Sequence, residues 1–174
     1  DLGGQFTGIQ VVREAYGHCG KPLVFSMSPG GVQLENAEFL QKNANTWGTT
    51  GDFGGNWPQL KPQFATCASW AHYTGEGHFP DADMLPLGKI GIRAERGNPR
   101  MSGFTQDEQH TLMSLFAIFR SPLMFGGNLP DNDEFTLSLL TNKEVLDVNQ
   151  NSAKAKQLFR NDELIDWTAT DPSS

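Results

Sequence analysis

The chain has 174 residues, of which 13 are Lys or Arg and 20 are Asp or Glu, so its formal net charge is −7. Nucleic acids and anionic membrane surfaces attract basic proteins, and this acidic balance therefore predicts neither as a partner. With 37% hydrophobic and 19% charged residues, the composition is typical of a globular protein. The apolar runs, such as residues 112–119, fall short of the roughly 18 consecutive apolar residues that a membrane span needs.

The first residues lack the basic start and the apolar stretch of a signal peptide, and no initiator Met is present. We therefore expect a processed or partial product, and the compartment stays open at this point. Cys19 and Cys67 lie in separate predicted helical regions without metal-ligand spacing. Two free thiols are expected, with neither a zinc site nor a disulfide framework.

Short apolar runs alternate with helical periodicity over the first 150 residues, which is the pattern of βα units. Residues 23–27 predict a buried strand, and a helix follows with apolar residues at positions 34, 37, 40 and 44. A second strand is predicted over 46–50, and Asn56 is the expected N-cap of the next helix. Pro62 falls inside the apolar stripe of that helix. It predicts a kink or a late helix start, because proline lacks the N–H and clashes with the preceding turn.

The segment 78–83 predicts a short third strand, followed by a long loop rich in Gly, Pro and Arg that runs to Ser102. Thr105 and Glu108 then form a capping-box pattern, in which each residue can bind the backbone N–H of the other. This pattern opens a strongly apolar helix that is expected to reach Phe119.

Residues 123–125 predict a fourth buried strand, and apolar residues over 135–140 predict a further helix. Beyond Asn151 the pattern changes to a hairpin over 157–168. Consecutive βα units imply parallel strands with right-handed crossovers, whereas a closed eight-stranded barrel takes about 250 residues. The predicted fold class is therefore α/β: half of a (β/α)8 barrel over 1–150, with the start of an antiparallel β segment over 151–174.

Polar side chains follow the predicted strands, at the carboxyl ends where α/β folds form their ligand sites. Asp52 follows the second strand and lies in a glycine-rich segment between Trp47 and Trp57. A carboxyl group beside aromatic faces favours general acid catalysis on sugars, and Trp47 is predicted to contact the sugar ring. The alternative interpretation is an aspartate that merely stabilises a turn before the next helix.

Asp81 and Asp83 follow the third strand, and strand alternation would place both on one face, where they could bind vicinal hydroxyl groups of a sugar. His78 adds an imidazole, but no fourth ligand is evident, so we expect no metal and no cofactor. A hydrolase of different chemistry, esterase-like or metal-dependent and built from Asp52, His78 and the serines, stays open. The serines lack the usual nucleophile elbow.

Several strings resemble the catalytic domain of the α-galactosidase family of retaining glycosidases, which also contains α-N-acetylgalactosaminidases. They are FSMSPG at 25–30, the segment 47–57, HFPDADMLPLG at 78–88, FTQDEQ at 104–109 and FRSPLMFGGNL at 119–129. The resemblance covers about residues 5 to 170. It implies a (β/α)8 barrel followed by an antiparallel β domain, with this chain corresponding to the last four barrel strands and the first hairpin of the second domain.

The resemblance also implies roles for individual residues. Asp52 corresponds to the acid/base aspartate, and Asp81 and Asp83 fall on a D-x-D-M motif whose first aspartate holds sugar hydroxyls while the methionine, Met84, lines the cleft. Ser28 falls where family members choose between a 2-hydroxyl and a 2-acetamido group. A serine there resembles the acetamido-tolerant pattern.

The chain also departs from the family pattern. The family nucleophile is an aspartate at the end of the fourth barrel strand, and only Asp1 could be its remnant here. A retaining mechanism needs two carboxyl groups about 5–5.5 Å apart, so its loss would remove the covalent step. Gly48 stands where the family carries an arginine, and Gly54 and Gly55 replace a bulky and acidic pair.

The sequence therefore predicts a glycoside hydrolase resembling exo-acting α-galactosidases, which cleaves terminal α-linked galactose or N-acetylgalactosamine by a retaining two-carboxylate mechanism. The nucleophile half of the site would be missing or supplied by another chain. The expected binding partner is a carbohydrate substrate. Half a barrel also exposes two sheet edges, so we expect either a homo-oligomer or a missing N-terminal barrel half to cover them. The alternative is a non-catalytic sugar-binding barrel fragment. The resemblance favours a secreted or periplasmic location.

Overall fold

A computed structural model describes residues 2–94 and 97–172 of the chain, with side chains from Phe6 onwards in the first helix. The helices are α1 (Leu2–His18), α2 (Ala37–Asn43), α3 (Trp57–Trp70), α4 (Gln106–Phe119), α5 (Glu134–Leu140) and α6 (Lys143–Asn151). The strands are β1 (Ser26–Met27), β2 (Thr46–Gly48), β3 (Phe79–Asp81), β4 (Lys89–Ile90), β5 (Arg100–Met101), β6 (Ala153–Arg160) and β7 (Ile165–Thr170). Within these ranges, no helix combines the length and apolar character that crossing a membrane requires.

The strands β1, β2 and β3 form a parallel sheet in chain order, with α2 and α3 as the crossovers between them. Ser26 pairs with Thr46, and Gly48 at the end of β2 pairs with Asp81 at the end of β3. The predicted order and parallel direction of the first three strands are confirmed. The strands are shorter than predicted, and their carboxyl ends share one edge.

The predicted fourth strand is reduced to a single parallel bridge between Leu85 and Phe125. The Leu85 N–H donates to the Met124 carbonyl at 2.8 Å, and the Gly126 N–H donates to the Leu85 carbonyl at 2.9 Å. The prediction of a full fourth strand in the same sheet is therefore wrong, although its predicted parallel direction is confirmed by this bridge. Pro122 supplies no N–H for a ladder, and the chain leaves β3 before it reaches Leu85.

Local helix signals account for α3 and α4. The Asn56 side chain accepts from the Gln59 N–H at 3.2 Å, as predicted for the N-cap of α3. In α4 the Thr105 N–H donates to Glu108 Oε2 at 2.8 Å, and the Glu108 N–H donates to Thr105 Oγ1 at 3.3 Å, which confirms the capping box.

The expected late start of α3 is wrong, because the helix begins at Trp57 and continues through Pro62. Pro62 removes the hydrogen bond that its N–H would have donated to the Pro58 carbonyl. Both prolines are exposed, so water can bind the carbonyl that loses its partner.

The hydrophobic core lies between the parallel sheet and helices α2 to α4. Its largest fully buried apolar side chains are Trp47, Phe116, Phe119, Leu40, Leu60, Leu85, Leu87, Leu112, Met113 and Leu115. Cys67 belongs to this core, where burial raises the pKa of its thiol, whereas Cys19 is exposed. Both cysteines are free, as the sequence predicts.

The strands β6 and β7 form the predicted hairpin, with Lys156 opposite Thr168 and Arg160 opposite Ile165. Asn161 closes its turn, since Asn161 Oδ1 accepts from the Leu164 N–H at 2.7 Å. Two elements were not predicted: α6, and the β4–β5 pair inside the segment expected to be a loop.

We expect Thr105→Ala to lower the free energy of unfolding of the chain by about 1 kcal/mol, because it removes the side-chain acceptor for the Glu108 N–H. Urea unfolding followed by circular dichroism measures this change. Gln106→Ala, at the adjacent exposed position, is the matched control and should change stability by less than about 0.5 kcal/mol. Equal losses in the two variants would contradict the role of the capping box.

Candidate active site

The polar residues singled out in the sequence lie at the carboxyl-end edge of the parallel sheet. Ser28 follows β1 and is exposed, Asp52 lies in the loop after β2 and is exposed, and Asp81 ends β3. In parallel sheets this edge is where ligand sites form. The topology therefore gathers these residues on one side of the molecule.

The loops that carry these residues are in contact. The Val32 N–H donates to the Gly48 carbonyl at 3.2 Å, and a Cβ on Gly31 would lie 3.2 Å from Thr50 Cα. The loop after β1 therefore packs directly on the loop after β2. Glycine at position 31 permits this close approach.

Hydrogen bonds hold the loop after β2 on both sides of Asp52. The Thr49 N–H and the Thr49 hydroxyl both donate to the Asp81 carbonyl at 2.9 Å, and the Phe53 N–H donates to the Asp83 carboxylate. The Gly54 N–H donates to Gln59 Oε1 at 2.9 Å. Asp52 is thus the exposed part of a loop whose flanking backbone is fixed.

A cleft of about 250 Å³ opens beside Asp52, between this loop and α3. Its walls include Thr50, Pro58 and Gln63, and Gln63 Nε2 donates to Thr50 Oγ1 at 3.2 Å. Asp81 and Asp83 are not among the residues that line this cleft.

Asp81 and Asp83 are linked to each other and to the fourth βα unit. The Asp83 N–H donates to Asp81 Oδ1 at 2.8 Å, and the Ala82 N–H donates to Ser121 Oγ at 2.9 Å. Burial and, to a smaller extent, the charge of Asp83 raise the pKa of the Asp81 carboxyl. Hydrogen bonds from the Asp83 N–H and with Ser121 lower it, but the net shift of this pKa is upward.

The argument that strand alternation places Asp81 and Asp83 on one face is wrong. The strand β3 ends at Asp81, and Asp83 takes a left-handed backbone conformation with φ of +81°. Asp83 therefore turns out of the strand and reaches the loop after β2 instead. Binding of sugar hydroxyls by either carboxylate stays a prediction.

The prediction that Trp47 contacts the sugar is not compatible with its position. Its side chain is 0% exposed and packs 6.1 Å from the Trp70 ring, centroid to centroid. Further protein around this chain could only bury it more. Trp47 supports β2 from within the core, so we correct the prediction to a packing role.

Met84 is 38% exposed and lies at the edge beside the fourth βα unit. A Cβ on Gly126 would lie 2.7 Å from Met84 Sδ, so glycine leaves the space that the thioether occupies. Lining of a cleft by Met84 stays a prediction, and its exposure is consistent with that role.

The structure explains why position 48 holds a glycine and not the arginine of the family pattern. A Cβ at Gly48 would lie 3.2 Å from the Gly30 carbonyl oxygen, which belongs to the backbone of the loop after β1. A long side chain there would require this loop to move.

The alternative hydrolase built from Asp52 and His78 is not supported by the geometry. His78 precedes β3, at the amino ends of the strands, whereas Asp52 follows the carboxyl end of β2. Among the residues that the structure describes, no group of three or more His, Cys, Asp or Glu side chains is placed to hold a metal ion. Asp1, the candidate remnant of the nucleophile, lies outside the described residues.

The sequence interpretation missed three residues that position the candidate site. Thr49 and Phe53 hold the loop of Asp52, and Ser121 holds the D-x-D segment. The sequence signal that could have found Phe53 is its position directly after Asp52, once the loops after β2 and β3 are known to be neighbours. Ser121 carries no such signal, because its contact spans 39 residues.

Comparison with known proteins decides the family. The sequence profile of the family described as Alpha galactosidase A matches residues 1–151. The chain belongs to the α-galactosidase family. Alpha-galactosidase 2 of Arabidopsis thaliana is 31% identical over 150 residues, which cover 85% of this chain and 35% of that protein.

Solved structures of the family agree with the fold. A GH27 β-L-arabinopyranosidase from Geobacillus stearothermophilus has 50% sequence identity and a TM-score of 0.93, covering 97% of this chain and 39% of that enzyme. A variant of it in complex with arabinose has 51% identity and a TM-score of 0.92. The chain is thus an α/β segment of a glycoside hydrolase family whose members are (β/α)8 barrels, and it spans well under half the length of these relatives.

We expect Trp47→Ala to lower the free energy of unfolding by about 3–5 kcal/mol, because it empties a fully buried site beside Trp70. Trp57→Ala is the matched control at the other indole that flanks Asp52, where the side chain is 39% exposed. It should cost less than about 1 kcal/mol. Chemical unfolding of the two variants measures both values, and similar losses would contradict the packing role of Trp47.

Proposed function

We propose that this chain forms the acid/base side of the active site of a retaining exo-glycosidase that removes terminal α-D-galactopyranosyl groups and their β-L-arabinopyranosyl counterparts. The observation that carries the proposal is the exposed Asp52 at the carboxyl-end edge of the sheet, in a loop fixed at Thr49 and Phe53. The matching of this segment to the α-galactosidase family supports the same role.

The two sugars differ in one substituent. A β-L-arabinopyranoside has the ring configuration of an α-D-galactopyranoside but carries no hydroxymethyl group at C5. One acid/base position and one set of contacts to the ring hydroxyls therefore serve both substrates. The 50% identity with the Geobacillus stearothermophilus enzyme, against 31% with the Arabidopsis thaliana α-galactosidase, favours the arabinopyranoside as a substrate.

In the proposed mechanism Asp52 protonates the glycosidic oxygen as the leaving group departs. A second carboxylate, about 5–5.5 Å away, attacks the anomeric carbon and forms the covalent glycosyl-enzyme. Asp52 then acts as a base towards the water that releases the sugar. We propose that the nucleophile is contributed from outside this chain, by the rest of such an enzyme or by a partner chain; the chain covers 39% of the Geobacillus stearothermophilus enzyme.

Three of the other predicted site residues are proposed to line this centre. We propose that exposed Ser28 leaves room beside C2 of the sugar, that Met84 lines the cleft, and that the Asp81 carboxylate faces ring hydroxyls. Residues 1–150 would form the second half of a (β/α)8 barrel, and 151–174 the first hairpin of a β domain. Either the N-terminal half of the barrel or a second copy would cover the open sheet edges.

We expect Asp52→Asn to lower kcat/KM for methyl α-galactoside roughly 10²–10⁴-fold, because a poor leaving group needs protonation. For a dinitrophenyl α-galactoside, which departs without protonation, kcat/KM should fall less than about fivefold. The assay uses a fusion in which this chain replaces the matching 39% of the Geobacillus stearothermophilus enzyme.

Asp133→Asn in the same fusion is the matched control, because Asp133 caps α5 and lies outside the site. It should leave both substrates unaffected. Full activity of Asp52→Asn on methyl α-galactoside would contradict the role of Asp52. Sugar binding without turnover by the unsubstituted fusion would instead support the non-catalytic alternative.

A second expectation concerns Ser28. Because it leaves space beside C2, aryl α-galactosides and aryl α-N-acetylgalactosaminides should be cleaved with kcat/KM values that differ by less than about 10³, or ~4 kcal/mol in transition-state energy. Ser28→Glu should narrow this space and select the plain galactoside. A larger preference in the unsubstituted enzyme would contradict the proposed role of Ser28.

A further inference from the structure

We propose that Asp83 is a positioning residue for Asp52, which it orients through the peptide group that joins Asp52 to Phe53. The inference rests on the proposed function and assigns Asp83 a task other than contact with the sugar. The Asp83 carboxylate accepts the Phe53 N–H across a separation of 30 residues.

The bond fixes Asp52 because a peptide group is planar. The Phe53 N–H and the Asp52 carbonyl belong to the same plane, so holding the N–H sets the orientation of the backbone directly attached to Asp52 Cα. The Phe53 ring, which follows this peptide group in the chain, is buried and lies 5.7 Å from Phe104 and 6.4 Å from Phe116, centroid to centroid. The peptide is thus held at both its N–H and its following side chain.

Asp83 can reach the loop after β2 because of its own backbone. Its φ of +81° lies in the left-handed region, which few residues other than Gly, Asn and Asp adopt. This conformation takes the chain out of the direction of β3. The Asp83 N–H donates to Asp81 Oδ1 at 2.8 Å, which stabilises the turn.

The turn is anchored in the core of the chain. Ser121 is 1% exposed, and its hydroxyl accepts the Ala82 N–H at 2.9 Å. Asn149 Nδ2 donates in turn to the Ser121 carbonyl at 3.0 Å. A sequence of contacts therefore runs from α6 through Ser121 and the D-x-D segment to the peptide of Asp52.

The positioning role of Asp83 and a sugar-binding role predict different effects of the leaving group on the loss of kcat/KM. A displaced acid slows substrates that need protonation and spares those that do not, whereas a lost sugar contact or a partly unfolded enzyme slows every substrate equally. In the fusion described above, Asp83→Gly should lower kcat/KM for methyl α-galactoside about 10–100-fold and for the dinitrophenyl galactoside less than about threefold.

Two further variants keep the test independent of folding. Glycine accepts the left-handed conformation, so Asp83→Gly removes the carboxylate without backbone strain. Asp83→Asn keeps both this conformation and a neutral acceptor for the Phe53 N–H, and it should restore most of the lost activity. Asp133→Gly removes a comparable carboxylate that accepts the Thr136 N–H at 2.7 Å, and it should show no leaving-group dependence.

Amide hydrogen exchange on the 174-residue chain tests the contact without catalysis. The Phe53 amide should exchange at least about tenfold faster in Asp83→Gly than in Asp133→Gly, because only the first variant loses its acceptor.

The outcomes distinguish the two proposals. If Asp52→Asn shows leaving-group dependence and Asp83→Gly slows both substrates equally, the positioning role of Asp83 is overturned and the proposed function stands. If Asp52→Asn itself shows no such dependence, the proposed function is overturned and the inference with it. An unchanged Phe53 exchange rate in Asp83→Gly also overturns the inference.

Discussion

The hydrogen bonds between the segment after β3 and the loop after β2 are the contacts on which the site depends. The Asp81 carbonyl holds Thr49 and the Asp83 carboxylate holds the Phe53 N–H, so the loop is fixed on both sides of Asp52. General acid catalysis requires a proton donor at a defined position relative to the leaving group. For the proposed role of Asp52, an exposed residue in a glycine-rich loop, backbone contacts with the end of β3 and the segment after it supply this defined position.

Buried contacts elsewhere in the described structure stabilise the two segments that form these hydrogen bonds. Trp47 packs against Trp70 under β2, and the buried Ser121 ties the D-x-D segment to the fourth βα unit. The family match assigns the chain to glycoside hydrolases with a (β/α)8 barrel, in which the carboxyl ends of the strands meet at one rim. The proposed function follows from this combination: a carboxyl group in a fixed loop at the carboxyl ends of the strands, with the second carboxyl group proposed to come from outside this chain.

Local signals in the sequence predicted local structure well. The Asn56 N-cap and the capping box at Thr105 are confirmed, because each depends on residues close in sequence. The order of the first three strands is confirmed because consecutive βα units favour parallel neighbours. The failures arise from contacts between distant residues. Nothing in the spacing of Asp83 indicates a left-handed turn towards Phe53, and the aromatic character of Trp47 does not reveal whether it faces a sugar or the core. The helix α6 was missed because it buries no residue fully and most of its residues are polar, so its few apolar side chains did not stand out in the sequence.

The position of Asp52 relative to the sugar is the central claim, and azide rescue tests it most directly. In Asp52→Ala of the fusion, the dinitrophenyl α-galactoside can still form the glycosyl-enzyme, because its leaving group departs without protonation. Azide can then enter the space of the missing carboxyl group and attack the glycosyl-enzyme in place of water. If Asp52 is the acid/base residue, the product is α-galactosyl azide, because two displacements retain the configuration of the substrate. Nuclear magnetic resonance of the product distinguishes the anomers. Formation of β-galactosyl azide, by a single displacement from the opposite face, would place Asp52 on the nucleophile side and contradict the account.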